Sequence, residues 1–414
     1  MNNRVIKFSL PAFVLLLLFS SCQRNYIPHQ HVLPQPEDTN DKPVSFQDKK
    51  TYTLNEVSVS NEFDGARLNG FELINDSIYR VIISPENTPI NASSYFAFKL
   101  WSPRIQNIEL EIFYTEHTHR YWPKLSYDDE SWFPIDSTQF DTLKAGNIAT
   151  LQLEIGPDTL TVAGQELMTS SDNYAWMSSL EKTYPEWIHV NEVGQSREDR
   201  PIYCMDIYDQ NFQDKPALVI FSRLHPPEVT GYIAMQSFVE TLMDSSILSA
   251  SFRSKYRILV YPMINPDGVD LGHWRHNTGG VDLNRDWSHY RQKEIKAVAY
   301  HLTQTVGQSN NDVVLGLDFH STQEDLYYSF TDNRRSKIYN FKDLWMQGID
   351  ESFESYSPDD QPYDLNQPIT KAWFLLEFNA ESITYEVGDE TPRSFVREKA
   401  RVAAKEMMKL LVLR

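Results

Sequence analysis

Four short segments, far apart in the chain, carry residues that could do chemistry together. They are His225-Pro-Pro-Glu228, Trp274-Arg275 with Asp282-Leu-Asn284-Arg285, Asp318-Phe-His320, and Tyr385-Glu386. His225, Glu228 and His320 offer two imidazoles and a carboxylate, the ligand set of a catalytic zinc with one position left open for water. His225 and Glu228 stand three apart at the expected start of a helix or tight turn, so both side chains can face one ion. Singly, each signal is weak: a surface histidine near an incidental glutamate is spelled the same way. Zinc-bound histidines usually pass their other N–H to a carboxylate or carbonyl, and Asp282 and Asp318 are candidates for that role. The commoner helical pattern, His-Glu-x-x-His, is absent.

Glu386 ends an apolar run, Ile383-Thr-Tyr385, on a lone carboxylate. A carboxylate placed there can act as general base on a water that zinc has acidified. Arg275, Asn284 and Arg285 supply two planar cations and an amide. An arginine fork binds two carboxylate oxygens and keeps its charge, and an arginine aimed at a developing oxyanion stabilises the transition state. The bland alternative for the pair is structural salt bridging, in a chain rich in acids.

The elements that must position these residues change character along the chain. From about Lys50 to Leu160, short apolar stretches are separated by turn residues. Ile108-Glu-Leu-Glu-Ile-Phe-Tyr114 and Ala149-Thr-Leu-Gln-Leu-Glu-Ile155 alternate as half-buried strands do. This part predicts an antiparallel, all-β sandwich over residues 49–165, and 22 Tyr with 22 Phe fit a large β share. From 166 to 414, strand and helix patterns alternate. Strands are expected at 217–221, 256–261, 313–317 and 382–385, and helices at 172–182, 231–243, 292–305, 343–353 and 394–411. Such alternation predicts an α/β unit with a mostly parallel mixed sheet and helices on both faces. Ligands of such sheets bind beyond the carboxyl ends of the strands. His225, Asn265-Pro-Asp-Gly268, His320 and Glu386 all fall just past a predicted strand end.

The formal charge is −19, and no basic stripe interrupts it. That excludes nucleic acid as a partner. Arg4 and Lys7 precede the apolar run Phe8–Phe19, which is shorter than the roughly 20 residues a membrane span needs. Residues 1–21 therefore read as an export signal. Ser20-Ser21-Cys22 resembles a bacterial lipoprotein cleavage site, with Phe19 where leucine is usual. The expected location is the bacterial cell envelope, with the membrane touched only through a lipid on Cys22. Residues 22–48 carry Pro28, Pro34, Pro36 and Pro43 and no hydrophobic period, which predicts a flexible tether. The second cysteine, Cys204, lies in a strand-like run and is expected to be a buried small apolar residue.

Longer stretches around these residues resemble a known family. Arg223-Leu-His-Pro-Pro-Glu228, Pro262-Met-Ile-Asn-Pro-Asp-Gly268, Gly280-Val-Asp-Leu-Asn-Arg-Asp-Trp287 and Thr384-Tyr-Glu-Val-Gly-Asp389 are similar to segments of the zinc metallocarboxypeptidases. The closer match is the cytosolic-carboxypeptidase-like branch and its bacterial relatives, which carry a β-sandwich ahead of the catalytic domain. Pro89–Phe98, Asp128–Phe133 and Gly194–Ile202 are similar to further segments of that branch. The resemblance covers roughly residues 70–414. It implies one zinc ion on His225, Glu228 and His320, with Glu386 as base, Arg275 at the oxyanion, and Asn284 with Arg285 on the terminal carboxylate of a peptide substrate. Two prolines between the ligands depart from the family, where an arginine often stands. Counting back from Glu386 puts Tyr363 within one residue of the family's mobile capping tyrosine. The same count puts Lys371 near the residue lining the side-chain pocket, where a cation would favour an acidic terminal residue; a solvated loop lysine is the alternative. The implied activity is removal of a C-terminal residue. Cleavage of γ-D-glutamyl or D,L bonds in murein stem peptides is a second reading, and a non-catalytic binding protein on this fold a third.

Overall fold

The computed structural model describes residues 26–142, 146–209, 212–309, 311–331, 337–338, 340–363 and 365–413. The expected signal, 1–21, and Cys22 lie outside them. Among the described residues no helix is long and apolar enough to cross a membrane.

The first unit is two packed sheets. One runs in the order 51–54, 57–60, 97–101, 160–163, 124–126, 133–134, and the other 70–73, 78–83, 106–114, 148–155, 140–142. The alternation works as expected: Ile108, Leu110, Ile112 and Tyr114 of one strand face inward against Leu151, Leu153 and Ile155 of its neighbour. One pairing departs from the antiparallel expectation. Ile78–Ile83 runs parallel to Gln106–Tyr114, because the chain visits the opposite sheet at Ala97–Trp101 before returning. A crossover of that kind brings a strand back in the same direction, whereas a hairpin reverses it.

The second unit is a seven-stranded sheet in the order 188–195, 201–207, 257–261, 217–222, 313–322, 381–388, 326–328. Its four central strands are parallel to one another, and the pairings outside them are antiparallel. Helices Val229–Leu242, Phe341–Asp350 and Arg393–Val412 bury one face. Lys293–Gln308 and Thr370–Phe378 bury the other, where Cys204 is also buried. The central strands are therefore buried on both sides, as Ala217–Ser222 is throughout.

Two expectations are corrected. The strands at Val313 and Glu381 do not stop before the chemistry; they continue to Thr322 and Gly388. His320 and Glu386 thus lie within neighbouring strands and pair directly with each other. The ladder carries on through these polar residues because both partner strands extend together. Nor is the segment 26–48 a flexible tether. Its backbone N–H groups at Gln35, Lys42 and Ser45 donate to the carbonyls of Asn366, Gly279 and Glu86 at 2.8, 2.8 and 2.7 Å. Arg197 grips Asp41 with both terminal nitrogens, at 3.0 and 2.9 Å, and Thr39 is only 1% exposed. Contacts with the folded body, rather than an apolar period of its own, order this segment as a strap.

Candidate active site

His225 sits three residues beyond the 217–222 strand. The chain turns there through Arg223, whose φ is 52°, and the 229–242 helix starts directly after Glu228. Pro226 packs where a Cβ on Gly268 would come within 2.6 Å of its ring, so the unusual proline pair has space made for it. Gly231 matters more. A Cβ there would lie 2.3 Å from the carbonyl oxygen of His320, so only glycine lets this helix press against the 313–322 strand. That approach brings Glu228 and His320 to one point.

Nδ1 of His225 lies 2.8 Å from one oxygen of Glu228, and Nδ1 of His320 lies 2.6 Å from the other. One ligand atom from each residue fits within a 4.8 Å cluster. The opposite ring nitrogens are taken by the two aspartates expected for this role: Nε2 of His225 is 2.9 Å from Asp282 and Nε2 of His320 is 2.8 Å from Asp318. This leaves both Nδ1 atoms and the Glu228 carboxylate facing inward as donors. Two buried imidazoles among the buried carboxylates Glu228 and Asp318 and the part-buried Asp282 make a charge pattern that favours a cation, and the nitrogen and oxygen donors suit zinc. The residues fit the ion.

Glu386 lines the same cleft, and its Oε2 is buried without a hydrogen-bond partner among the described residues. Burial, against the pull of His320 and with Glu228 and Asp318 adding to it, pushes this carboxyl up to about 8. A cation held by the three donors would draw it back toward the ordinary carboxylate range.

Arg275 comes to the cleft from a loop anchored in the sandwich. The Trp274 indole is fully buried in the sandwich core and donates to the Tyr95 carbonyl at 2.8 Å. The buried Glu86 carboxylate accepts the N–H groups of Trp274, Arg275 and His276 at 2.8, 2.9 and 2.6 Å. Asp282 then takes Nε of Arg275 at 2.8 Å while also holding His225. Against burial, Arg275, His225 and Arg285 keep the Asp282 carboxyl well below its usual range.

The cleft, about 630 Å³, brings together most of the expected residues: His225, Glu228, His320, Glu386, Arg275, Asn284, Arg285 and Tyr363. Asn284 accepts the Thr370 N–H at 2.9 Å and turns its amide nitrogen toward His320. Tyr363 packs edge-on against Tyr328, which also lines the cleft. Lys371 is not on this wall. It is 1% exposed, donates to the carbonyls of Ser329 and Tyr363, and holds its ammonium 3.4 Å from the Tyr363 ring centre. It is neither a pocket cation nor a solvated lysine, because the first turn of the 370–378 helix carries it beneath Tyr363. Carbonyls and aromatic faces replace its lost water there.

Other contributors were given no role from sequence, although Asn91–Ser93 lie within the family-like segment Pro89–Phe98. Arg120 and Asn91–Ser93 bring the sandwich into the cleft wall, with Arg120 bonded to Asp389 at 2.8 Å and to Ser93 at 3.1 Å. Glu86 sits in an ordinary turn sequence, and its role exists only against the distant 274–276 backbone.

Comparison with known proteins places the chain in a family. The family model described as zinc carboxypeptidase matches residues 173–398. The chain belongs to the zinc carboxypeptidase family. It is 27% identical over 200 residues to cytosolic carboxypeptidase 6 of Caenorhabditis elegans, covering 46% of this chain and 44% of that one. It is 35% identical over 121 residues to cytosolic carboxypeptidase 4 of Homo sapiens, covering 28% and 10%. The chain thus spans less than half the length of these curated relatives. A metallo-carboxypeptidase from Burkholderia cenocepacia superposes with a TM-score of 0.69 at 16% identity, over 86% of this chain and 98% of that one. One from Pseudomonas aeruginosa gives 0.68 at 16%, over 86% and 100%. At such identities these two speak for the fold, which extends across both units.

Proposed function

We propose that the protein is a zinc-dependent carboxypeptidase that hydrolyses the last peptide bond of a peptide. The observation that carries this reading is the lining of one cleft. Its carboxylates are Glu228, engaged with both histidines, and Glu386, with an oxygen left free; facing them are Arg275, Arg285 and Asn284. Zinc held by His225, Glu228 and His320 supplies Lewis acidity. Glu386 takes the proton of the attacking water through its unpartnered oxygen and passes it to the leaving amine. Arg275, fixed through Nε, turns its remaining nitrogens to the charge that develops on the scissile carbonyl oxygen. Arg285 and Asn284 hold the terminal carboxylate, which selects the last bond over internal ones.

The test is mass spectrometry of products from mixed peptides and digested murein stem peptides, using zinc-loaded protein beside Glu386→Gln. Loss of single C-terminal residues from ordinary peptides, absent in the variant, is expected. Cleavage confined to stem peptides would replace this substrate class, and no cleavage in either pool would overturn the reading.

Export and a lipid on Cys22 are part of the same proposal, supported by the basic start, short apolar run and Ser-Ser-Cys of residues 1–22. Tyr26 already packs on Gly307, so residues 23–25 alone would separate the lipid from the folded body. Labelled palmitate incorporated by the wild type and lost in Cys22→Ser would support this; equal labelling would refute it.

A further inference from the structure

Arg285 is held by a residue outside the catalytic segments. Its Nε donates to Glu37 Oε1 of the strap at 2.8 Å, and Nη1 donates to the Asn284 carbonyl at 2.9 Å, lying 3.6 Å from Asp282. Nη2 has no hydrogen-bond partner among the described residues, and Arg285 lines the cleft with its side chain 19% exposed.

We propose that Glu37 is a positioning residue for the site of the substrate's terminal carboxylate, acting through Arg285. This rests on the carboxypeptidase reading above. A guanidinium can meet a carboxylate along the edge that includes Nε or along the end formed by its two amino groups. Glu37 takes one nitrogen of the first edge, with a single oxygen. The end, Nη2 with the second hydrogen of Nη1, stays available to a ligand in the cleft. Two contacts on opposite sides of the fork stop its rotation, so a long and otherwise mobile side chain presents one face.

Glu37 is itself pinned two residues away on each side. The Gln35 N–H donates to the Asn366 carbonyl at 2.8 Å. Thr39 donates to Asp286 at 2.5 Å and accepts from Gln292 at 2.8 Å. Asp286 follows Arg285, and Asn366 precedes the cleft residue Gln367. The strap therefore bridges the two segments that form this wall. Glu37 sits on Nε and not on the amino-group end of the fork, so it leaves that end open to a ligand.

The test compares full-length, zinc-loaded wild type with Glu37→Ala, Glu37→Gln and Asp41→Ala. Asp41→Ala loosens the strap at Arg197 without touching Arg285. KM and kcat are measured on a peptide substrate. Calorimetry with a peptide as free acid and as C-terminal amide reads carboxylate recognition directly. Glu37→Ala is expected to raise KM roughly three- to tenfold with kcat within about twofold, and to shrink the acid-over-amide preference by the same factor. Glu37→Gln keeps an acceptor for Nε and should stay within about twofold of the wild type, as should Asp41→Ala. An unchanged KM in Glu37→Ala overturns the proposal. So does a lowered KM, which would mark a competitor, or an equal rise in Asp41→Ala, which would mark general strap docking. If the wild type itself shows no preference for the acid, the carboxypeptidase reading fails and this proposal with it. If it does, and Glu37→Ala keeps that preference in full, only the role of Glu37 fails.

Discussion

The metal corner and the arginine wall of the cleft are assembled in different ways. His225, Glu228, His320 and Glu386 belong to the α/β unit, in the turn after one central strand, at the cap of the helix that follows, and on two strands paired side by side. Their geometry follows from the sheet itself. Arg275 lies on a loop and Arg285 ends the short 3-10 turn Leu283–Arg285, and both are held from outside: Glu86 and the sandwich core hold the first, and the strap holds the second. The difference teaches that the sandwich and the strap are structural parts of the site, although neither supplies a metal donor or the base. On the proposed reading, rigid elements place the reacting groups, and imported contacts place the groups that would recognise charge.

The comparison can be broken or sharpened by substitution. In the metal corner, Glu386→Gln should lower kcat about 10²–10⁴-fold while zinc content, read by plasma mass spectrometry, stays at the wild-type level. A matching loss of zinc would place Glu386 among the donors instead. On the wall, Arg275→Ala should cost about 10²–10³-fold in kcat. Glu86→Ala tests whether the sandwich holds that arginine. It leaves three buried N–H groups without their acceptor, so it should reduce both stability in urea and kcat, with about 1–3 kcal/mol for each group left unsatisfied. Normal kcat in a folded Glu86→Ala would cut the link between the two units. Gly231→Ala should destabilise by about 1–3 kcal/mol through overpacking and weaken zinc binding, because the helix must retreat from His320. Zinc affinity equal to wild type would show that the helix approach does not set the corner. The smallest effect is expected for Lys371→Met. Preference among C-terminal residues should change less than about threefold, since the ammonium faces Tyr363 and two carbonyls. A large loss of preference for acidic residues would return Lys371 to the pocket.

Legibility in the sequence follows the same division. The donors were readable because zinc chemistry demands particular residue types, and because His225 and Glu228 are close in the chain. Asp282 and Asp318 were readable as partners of the histidines for the same reason. The strand alternation of residues 106–114 and 148–155 marked the sandwich. The continued pairing of His320 with Glu386 was hidden, because polar residues interrupt the apolar runs by which buried strands are recognised. Glu86, Arg120 and Glu37 were hidden more deeply. Each acts on a partner more than 150 residues away, and nothing in its own neighbourhood distinguishes it from a surface charge. The strap composition signalled disorder because it counts apolar burial, and these contacts are polar. Spacing suggested Lys371 for the pocket wall, and the structure carries it beneath Tyr363 instead, since spacing carries no information on which way a helix turn directs a side chain.

The most direct test of the account is digestion of one peptide presented as free acid and as C-terminal amide. Zinc-loaded protein, the same protein after chelation, and Glu386→Gln would be followed by mass spectrometry. The account predicts loss of a single terminal residue from the free acid by the zinc-loaded wild type, with the amide resistant and both controls silent. Equal cleavage of acid and amide, or cleavage at internal bonds, would contradict it.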